Sequence, residues 1–430
     1  MTQLLNFSGQ LEHRFSPELI ELLHWIGDTA AQRGGAAYLV GGFVRDLILG
    51  RPNIDVDITV EGDTEALIQD LGQRGLRVTA RSQFMTYKLQ SRAFSIDLAT
   101  CREETYPNPG ALPVVRPSTL LEDLHRRDFT INAMALSLSP AMFGMIIDPY
   151  DGMDDLREGR IRVLHWSSFR DDATRMLRAL RFEQRLGGTL DPAARALMAR
   201  DARFIDTISP DRLRREFERV WKEGRPEAIM TRAYNMGILD SVSPPVPWDN
   251  EIAQGYEVGR NVMPLDIPTG HLYYALMGAR MDTAKAKTLA ARLNLLEEQR
   301  KAMVDAARLR KRVDALALKS NLPSMVTANL EPFSSAALQA WNVLAADKEV
   351  AKRLRAYLLL WRTMRPLLTG SDILNLGVGQ GPLVGKLLRA LRAARLDNPS
   401  MTKDDERDLA RHLIDQWLNG KRSRKTSATG

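Results

Sequence analysis

The chain has 430 residues, a formal net charge of +7 at pH 7 and a pI near 9.5. Its single cysteine excludes an intramolecular disulfide and a cysteine-rich zinc site, and no apolar run approaches the roughly 20 residues that cross a bilayer. The first residues lack the basic and apolar regions of a signal peptide, so we expect a cytoplasmic protein without membrane contact. The positive charge suits a polyanionic partner.

The sequence pattern changes character once along the chain. Residues 1–35 predict an amphipathic entry helix, and residues 36–150 predict a mixed β-sheet that includes a mobile, proline-rich loop at residues 106–113. From about residue 156 the apolar spacing is helical and stays so. We therefore expect an α+β protein, with a mixed sheet in its first part and an all-α remainder.

The most informative segment follows the entry helix. An apolar run ends in Gly41, Gly42 and Arg45, and Asp55 and Asp57 follow on a second, β-branched run. Alternate residues of a strand share a face, so the two carboxylates present paired oxygens, which is how proteins bind Mg²⁺ together with substrate phosphates. The glycines would let backbone N–H groups approach a triphosphate, and Arg45 would supply a positive fork. Together these features indicate nucleotidyl transfer, although either motif alone is more often structural.

Three further motifs follow, at residues 122–135 (EDLHRRDFTINAMA), 148–156 (DPYDGMDDL) and 171–182 (DDATRMLRALRF). With the first motif they resemble the nucleotidyltransferase superfamily that includes DNA polymerase beta. More narrowly, they resemble the class II tRNA nucleotidyltransferases and the bacterial poly(A) polymerases. The resemblance covers roughly the first half of the chain, and the four motifs stand in the order of the family.

The last of these motifs also predicts a helix with two distinct faces. Met176, Leu177 and Leu180 cluster on one sector and form an apolar stripe that packs. A second set of residues advances three at a time around the opposite half and could wrap one elongated anion. This set consists of Asp172, Arg175, Arg178 and Arg181.

Asp172 and Arg175 could select the base of a bound nucleotide. An acceptor beside a donor is complementary to cytosine and adenine, which offer an amino donor beside a ring-nitrogen acceptor, whereas uracil and guanine would leave like groups facing. The pocket should therefore accept CTP and ATP. The resemblance agrees, because the matching residues of the family serve as a protein template. The family usually carries glutamate where this chain has Asp171, a shorter side chain that could orient Arg175 differently.

The resemblance also implies roles for other residues and partners. Arg127 should contact the nucleotide, Asp128 should hold the ribose or the arginines, and Mg²⁺ should be the cofactor. Asp97, on an alternating segment, is a candidate third carboxylate, although a single acid on a strand is usually solvated. The helical half should hold tRNA at its acceptor end and elbow, with basic helices such as residues 212–219 along the phosphates.

The expected domain organisation has five parts. These are a polymerase-beta-like catalytic head (1–155), a helical neck with the base template (156–222), a helical body that binds RNA (223–345), a helical tail that binds tRNA (346–420), and a disordered basic tail (421–430). The expected activity is addition of CCA, or of the terminal A, to the tRNA 3′ end. A poly(A) polymerase is the first alternative. A non-catalytic RNA-binding protein is the second, but the intact acidic motif argues against it.

Overall fold

The computed structural model describes residues 5–52, 55–91, 94–261, 267–318 and 320–426, and only the backbone of residues 260 and 418–426. Asn53 and Ile54, which belong to the segment of the acidic motif, lie outside these ranges. The chain divides into two compact units, Met1–Val246 and Pro247–Gly430. In the described ranges, no helix is both long and apolar enough to cross a membrane.

The first unit carries a mixed β-sheet that holds the acidic motif. The strands of this unit are β1 (Ala36–Val40), β2 (Val56–Glu61), β3 (Arg77–Ser82), β4 (Thr86–Gln90), β5 (Ser95–Thr100), β6 (Arg102–Thr105), β7 (Val114–Pro117), β8 (Ala135–Ser137), β9 (Ile146–Ile147), β10 (Arg160–Ile161) and β11 (Thr189–Leu190). Within the described residues, the main sheet has the order β3-β4-β5-β2-β1-β8-β9. Strands β2 and β5 are parallel and the other pairs of this sheet are antiparallel, so the predicted mixed sheet is present.

Helices cover this sheet and continue beyond it. In the first unit they are α1 (Ser8–Arg14), α2 (Pro17–Gln32), α3 (Gly42–Ile48), α4 (Thr64–Gln73), α5 (Leu120–His125), α6 (Gly152–Arg157), α7 (Ser168–Asp171), α8 (Thr174–Leu186), α9 (Pro192–Asp201), α10 (Pro210–Trp221) and α11 (Pro226–Asn235). The predicted entry helix is thus two helices. Ser16 caps the second by accepting a hydrogen bond from the Leu19 N–H, and Pro17 occupies its first turn.

One β feature interrupts the region that was predicted to be all helical from residue 156. The short strands β10 and β11 pair in parallel, with Arg160 opposite Thr189. Two glycines make this approach possible, because a Cβ added to Gly188 would lie 2.1 Å from the Gly159 carbonyl oxygen. The helical periodicity of the surrounding sequence did not reveal this contact between backbones.

The second unit is helical wherever it has regular structure in the described residues. Its helices are α12 (Asn250–Asn261), α13 (Thr269–Ala279), α14 (Thr283–Arg292), α15 (Glu297–Leu309), α16 (Pro323–Leu330), α17 (Ser335–Leu344), α18 (Lys348–Leu359), α19 (Gly370–Asn375), α20 (Pro382–Asp397) and α21 (Lys403–Thr426). Helix α21 extends through Thr426, so residues 421–426 are helical where a disordered tail was expected, and residues 427–430 lie outside the described ranges.

Two hydrophobic cores of the second unit bear on the predicted boundary between body and tail. One core extends from Leu309 to Leu358 and joins α15, α16, α17 and α18. Another extends from Leu368 to Ile414 and joins α19, α20 and α21. The predicted boundary at residues 345/346 falls inside the first core, because apolar residues on both sides of it pack together. The change from one core to the next lies between Leu358 and Leu368.

Candidate active site

The two carboxylates of the acidic motif lie at the start of β2. Asp55 precedes the strand and is exposed, whereas Asp57 lies on it and is half-buried. The parallel pairing of β2 with β5 places Asp57 opposite Asp97. The Lys88 ammonium on β4 lies 3.7 Å from the Asp97 carboxylate. The candidate third carboxylate is therefore a direct neighbour of Asp57, and it has a partner of its own.

The charges around Asp57 suit a metal ligand. Burial raises the pKa of Asp57 to about 6, while Arg127 lowers it and the nearby Asp97 and Asp55 raise it. A divalent cation would relieve this crowding of negative charge, and carboxylate oxygens are the donors that Mg²⁺ prefers. Among the described residues, no cluster of three or more His, Cys, Asp or Glu side chains is arranged as a complete metal cage. The donor set fits an ion held by one or two carboxylates together with substrate phosphates.

The glycine turn brings backbone and an arginine close to Asp57. Gly41 adopts φ 70° and ends β1 just before helix α3, a conformation that residues with a side chain rarely adopt. A Cβ at this position would lie 2.8 Å from Nη1 of Arg127 and 4.0 Å from Oδ2 of Asp57. The positive φ favours glycine here, and a side chain at this position would also push the end of Arg127 away from its place beside the carboxylate.

Arg45 faces the same space, but its donors are used within the protein. The side chain is buried, its Nε and Nη2 donate to the Asp46 carboxylate, and its Nη1 donates to Oδ1 of Asn132 at 2.6 Å. Its guanidinium carbon lies 5.1 Å from the centre of the Phe182 ring. Arg45 is thus a fixed positive charge in the wall, and its contact with phosphates stays a prediction.

Arg126 and Arg127 are held by a carboxylate that the sequence analysis overlooked. Asp123, on α5, is fully buried, and it accepts hydrogen bonds from Arg126 at 2.6 Å and from Arg127 at 2.9 Å. Burial opposes its ionisation, but the two arginines hold the pKa of the Asp123 carboxyl below its usual range. An acid on a helix, three and four residues before two arginines, was a readable signal, because residues at this spacing can meet where helical geometry continues to the helix end.

Asp128 holds an arginine, which is one of the two roles predicted for it. Its Oδ2 accepts from Nε of Arg178 at 2.8 Å, and its Oδ1 accepts from Nδ2 of Asn132 at 2.9 Å. Asn132 also accepts from Arg45, so one chain of hydrogen bonds joins α3 to α8. The pair with Asp128 is the main cause that raises the pKa of Arg178, and it also helps to keep the pKa of the Asp128 carboxyl low.

Arg181 points toward α10 and the residues after it. Its Nε donates to the Glu223 carboxylate at 3.0 Å, and its Nη1 lies 3.7 Å from Oε2 of Glu216. Glu216 is buried and also pairs with Arg219. The predicted spiral of charges on α8 is therefore a network in which each arginine has an acidic or polar partner from elsewhere in the unit.

The two proposed template residues lie at the start of α8. Oδ1 of Asp172 accepts from the Thr174 N–H and hydroxyl, and Oδ2 accepts from Nη2 of Arg212 at 2.7 Å. Arg175 is buried, and it donates to the Ser168 hydroxyl at 2.8 Å and to the Arg126 carbonyl at 2.6 Å. Both line the same cavity, so the structure brings them together, while their role in base selection stays a prediction.

A short relay connects Asp171 to Arg175. The Ser167 hydroxyl donates to Asp171 at 2.9 Å and lies 3.0 Å from Nδ1 of His165, whose Nε2 lies 3.5 Å from Nη1 of Arg175. Burial and the nearby Arg175 lower the pKa of His165 to about 4, so at neutral pH the ring is uncharged and its Nε2 can accept. Asp171 is thus linked to Arg175 by contacts through Ser167 and His165.

These groups surround one cavity of about 720 Å³ in the first unit. Among the described residues that line it there are ten arginines and five carboxylates, and the wall also contains Gly41, Gly42 and Asp57. Such an excess of positive charge in a confined space suits a triphosphate. All predicted nucleotide-binding residues line the cavity. Asp55 lies outside its lining.

Some lining residues had not been assigned to the site. Tyr106, in the proline-rich loop, donates to Glu104 at 2.8 Å, and both line the cavity. Helix α10 contributes Arg212, Arg215 and Arg219, whose spacing of three and four residues places them on one helix face. The basic residues of this helix had predicted contacts with RNA phosphates, because spacing alone does not show which cavity a helix face lines.

Comparison with known proteins identifies the family of this chain. Residues 37–162 match the family described as "Poly A polymerase head domain", and residues 188–248 match "Probable RNA and SrmB- binding site of polymerase A". An A-adding tRNA nucleotidyltransferase of Halalkalibacterium halodurans is 29% identical over 95% of this chain and 96% of its own length. A relative of the same name from Geobacter sulfurreducens is 31% identical over 92% of this chain, but the chain spans only 47% of that protein.

Solved structures show the same fold. A CCA-adding enzyme in its apo form II has a TM-score of 0.82 and 27% identity, with 95% of this chain and 99% of that chain covered. A Thermotoga maritima CCA-adding enzyme complexed with tRNA has a TM-score of 0.79 and 26% identity, with 96% and 100% covered. The α+β class is thereby confirmed. A CC-adding tRNA nucleotidyltransferase of Deinococcus radiodurans is 30% identical over 91% of this chain and 93% of its own length, and the chain therefore belongs to the tRNA nucleotidyltransferase family.

Proposed function

We propose that this protein adds nucleotides to the 3′ end of tRNA from CTP and ATP and so completes or repairs the terminal CCA sequence. The observation that carries the proposal is the arginine-lined cavity, in which Asp57, the glycine turn and the start of α8 share one space. Membership of the family and the activities named for the relatives support it.

The residues of the cavity suit attack of an RNA 3′-hydroxyl on the α-phosphorus of a nucleotide, with pyrophosphate leaving. Asp55 and Asp57 would hold Mg²⁺, which when bound lowers the pKa of the hydroxyl and stabilises charge on the phosphate oxygens. The N–H of Gly42 and the guanidinium of Arg127 would contact the phosphates near Asp57. Arg178 and Arg181 would extend that contact along α8. Arg45 would contribute its charge from within the wall.

Base selection would fall to Asp172 and Arg175. Both side chains already have protein partners, so a base would share their hydrogen-bonding capacity or displace one partner. Arg212 is the partner most readily displaced from Asp172, because its side chain is partly exposed. An unpaired buried polar group costs about 1–3 kcal/mol, so a base whose edge does not match would be rejected.

Addition of the terminal A alone is the second candidate function. The relatives from Halalkalibacterium and Geobacter, which cover more than nine-tenths of this chain, are both named A-adding. The aspartate at position 171, two bonded side chains away from Arg175, is where a change in base choice could originate.

The second unit offers surfaces suited to RNA phosphates. Arg362, Arg365, Arg389 and Arg392 line a cavity of about 420 Å³ with a single carboxylate, Glu331, among the described residues. Another cavity, of about 470 Å³, is lined by Lys348, Lys352 and Arg355 on α18. Positive side chains on a helical scaffold are the usual means of holding a nucleic-acid backbone. We assign tRNA acceptor-end and elbow contacts to this unit.

The domain assignment follows from these proposals. Residues 1–155 would be the catalytic head and residues 156–222 the neck that carries the base template. Residues 223–345 and 346–420 would be the RNA-binding body and tail, with their border better placed where one helical core gives way to the next, between Leu358 and Leu368.

The proposal is tested by incubating the protein with tRNA that lacks its last one, two or three nucleotides, with labelled CTP and ATP supplied separately and together. A CCA-adding enzyme extends all three and stops at the complete end. An A-adding enzyme extends only the tRNA that lacks one nucleotide.

Two other outcomes would replace the proposal. Long ATP-dependent tails on unstructured RNA, with no preference for tRNA, would identify a poly(A) polymerase. Tight tRNA binding without incorporation of either nucleotide, in the presence of Mg²⁺, would indicate a non-catalytic RNA-binding protein.

A further inference from the structure

An aromatic side chain stands exposed close to the proposed base template. Trp166 is 66% exposed, although it lies only two residues before the buried Ser168. Arg200 fixes its position, because Nη2 of Arg200 donates to the Trp166 carbonyl at 2.9 Å and the guanidinium carbon lies 5.9 Å from the ring centre. Arg200 is itself held by Asp201 at 2.7 Å. The ring is thus ordered on one side and open on the other.

The ring borders a second, smaller cavity of about 220 Å³ in the first unit. Residues 106–109 of the proline-rich loop form one wall, and Trp166, Ser167, Arg170 and Asp171 form the other. The loop approaches the rest of the unit closely at Gly110, where a Cβ would lie 2.3 Å from the Thr207 hydroxyl oxygen. Two prolines and a tryptophan therefore line one narrow space.

This cavity adjoins the proposed nucleotide site. Tyr106 lines both cavities, and Asp171, which lines the smaller one, precedes Asp172, which lines the larger. Arg170 is exposed and makes no ion pair with the residues that the structure describes. The smaller cavity therefore combines an exposed aromatic face, a free cation and direct continuity with the place where an incoming base would bind.

We propose that this cavity binds a nucleobase of the RNA 3′ end, stacked on Trp166 with Arg170 beside the adjoining phosphate. The inference rests on the proposed function. Single-stranded RNA is commonly bound by stacking of unpaired bases on aromatic rings next to basic residues, and stacking tolerates any base. A substrate whose 3′ end changes with each addition needs a contact of this kind, because the same site must hold different terminal bases.

Continuity with the nucleotide cavity decides in favour of RNA over a protein partner. A reaction at the RNA 3′-hydroxyl requires the last RNA nucleotides to lie within a few ångströms of the incoming nucleotide. A protein docked on Trp166 would occupy the space that these nucleotides need.

The test compares the natural RNA with an abasic one in the full-length protein. A tRNA minihelix that lacks only its terminal A is prepared with all bases, and again with an abasic site at each of its last two positions. Trp166→Ala, Trp166→Phe and the unchanged protein are compared for equilibrium binding of each RNA and for the KM of RNA and of ATP. Trp25→Ala is the matched control, because Trp25 is also stacked by an arginine, Arg74 at 4.8 Å, on another part of the unit.

We expect Trp166→Ala to weaken RNA binding and to raise the KM of RNA, each about tenfold to a hundredfold. The KM of ATP should change by less than about twofold. Trp166→Phe should recover most of the loss. An abasic site at the stacked position should weaken RNA binding by the unchanged protein by a similar factor. It should cause no further loss of RNA binding in Trp166→Ala.

The proposal would be overturned if the abasic site weakened RNA binding by Trp166→Ala as much as it weakens binding by the unchanged protein. It would also be overturned if Trp166→Ala bound RNA as tightly as the unchanged protein, or if that variant had a changed oligomeric state. The proposed function fails separately. If the unchanged protein incorporates no nucleotide, the binding measurements still decide whether Trp166 stacks on an RNA base.

Discussion

At the scale of single residues, Asp172 combines a local and a chemical role. Its Oδ1 accepts from the N–H and hydroxyl of Thr174, the first residue of α8, while Oδ2 accepts from Arg212 in the cavity. If Asp172 accepts a hydrogen bond from the base, Asp172→Ala should lower the preference for CTP over UTP, and for ATP over GTP, by about tenfold. Triphosphate affinity should persist through Arg178 and Arg181. The measurement is kcat/KM for each of the four nucleotides.

Two further variants distinguish base selection by Asp172 from a purely structural role of this residue. Arg212→Ala releases the same carboxylate oxygen and should preserve base choice. Arg178→Ala removes one of the proposed phosphate contacts and should raise the KM of CTP and ATP alike. An equal loss of rate for all four nucleotides in Asp172→Ala would make this residue a brace for α8 rather than a template.

The acidic motif gives a second prediction at this scale. Asp57→Ala should lower incorporation by about a thousandfold or more, because a metal ligand stabilises charge that develops during transfer. Asp55→Ala should do the same. Neither substitution should reduce stability, since Asp55 is exposed and the crowding of charge around Asp57 would be relieved. Incorporation and thermal unfolding are measured together.

Asp97→Asn is the control for this pair, because Asp97 neighbours Asp57 but already pairs with Lys88. We expect it to lose less activity than either variant of the motif. Near-normal turnover by purified Asp57→Ala would remove the metal assignment.

At the scale of elements, helix α5 and the residues that follow it form a clamp for two arginines of the cavity. Asp123→Asn would remove the buried charge that Arg126 and Arg127 share, which should cost about 3–5 kcal/mol of unfolding free energy. It should also raise the KM of CTP and ATP together without altering base choice. Urea unfolding and steady-state kinetics test both expectations.

The matched control is Asp154→Asn on α6, which breaks an Asp–Arg pair of the same i,i+3 spacing at an exposed position. Such pairs contribute about 0–1 kcal/mol, so little change is expected. If the two variants lose equal free energy of unfolding, the burial of Asp123 does not determine how much its ion pairs contribute to stability.

Helix α8 illustrates what a sequence pattern can and cannot predict. Its apolar stripe, Met176, Leu177 and Leu180, is buried as the helical period required. The partners of its arginines were not predictable, because Asp128 precedes Arg178 by 50 residues and Glu223 follows Arg181 by 42. Periodicity describes one helix at a time, whereas these pairs depend on how the chain returns to the same place.

The strands show the same limit. Alternation placed Asp55 and Asp57 on one face, but the register that sets Asp57 opposite Asp97 comes from the pairing of β2 with β5. The family and the α+β class were predicted from the sequence and are confirmed by the comparisons. The predicted nucleotide-binding residues line one cavity, whereas Asp55 lies outside its lining. The roles of the site residues stay predictions, because geometry without substrate does not assign them.

At the scale of the whole molecule, the proposal that the second unit binds RNA phosphates predicts how salt concentration changes the affinity for tRNA. Affinity for a tRNA minihelix should fall linearly on a plot of log K against log salt concentration, because phosphate contacts release counterions. The double variant Arg365→Ala, Arg389→Ala removes two cations from the arginine cavity of the second unit. Each phosphate contact contributes about 0.7–0.9 to the slope, so the slope should fall by about 1.4–1.8. Base choice should stay unchanged.

The control is Arg411→Ala, which removes an exposed arginine of the same unit that pairs with Asp408. It should leave the slope unchanged. Equal slopes for the double variant and the unchanged protein would mean that the RNA phosphates bind elsewhere, and α18 would be the next surface to test.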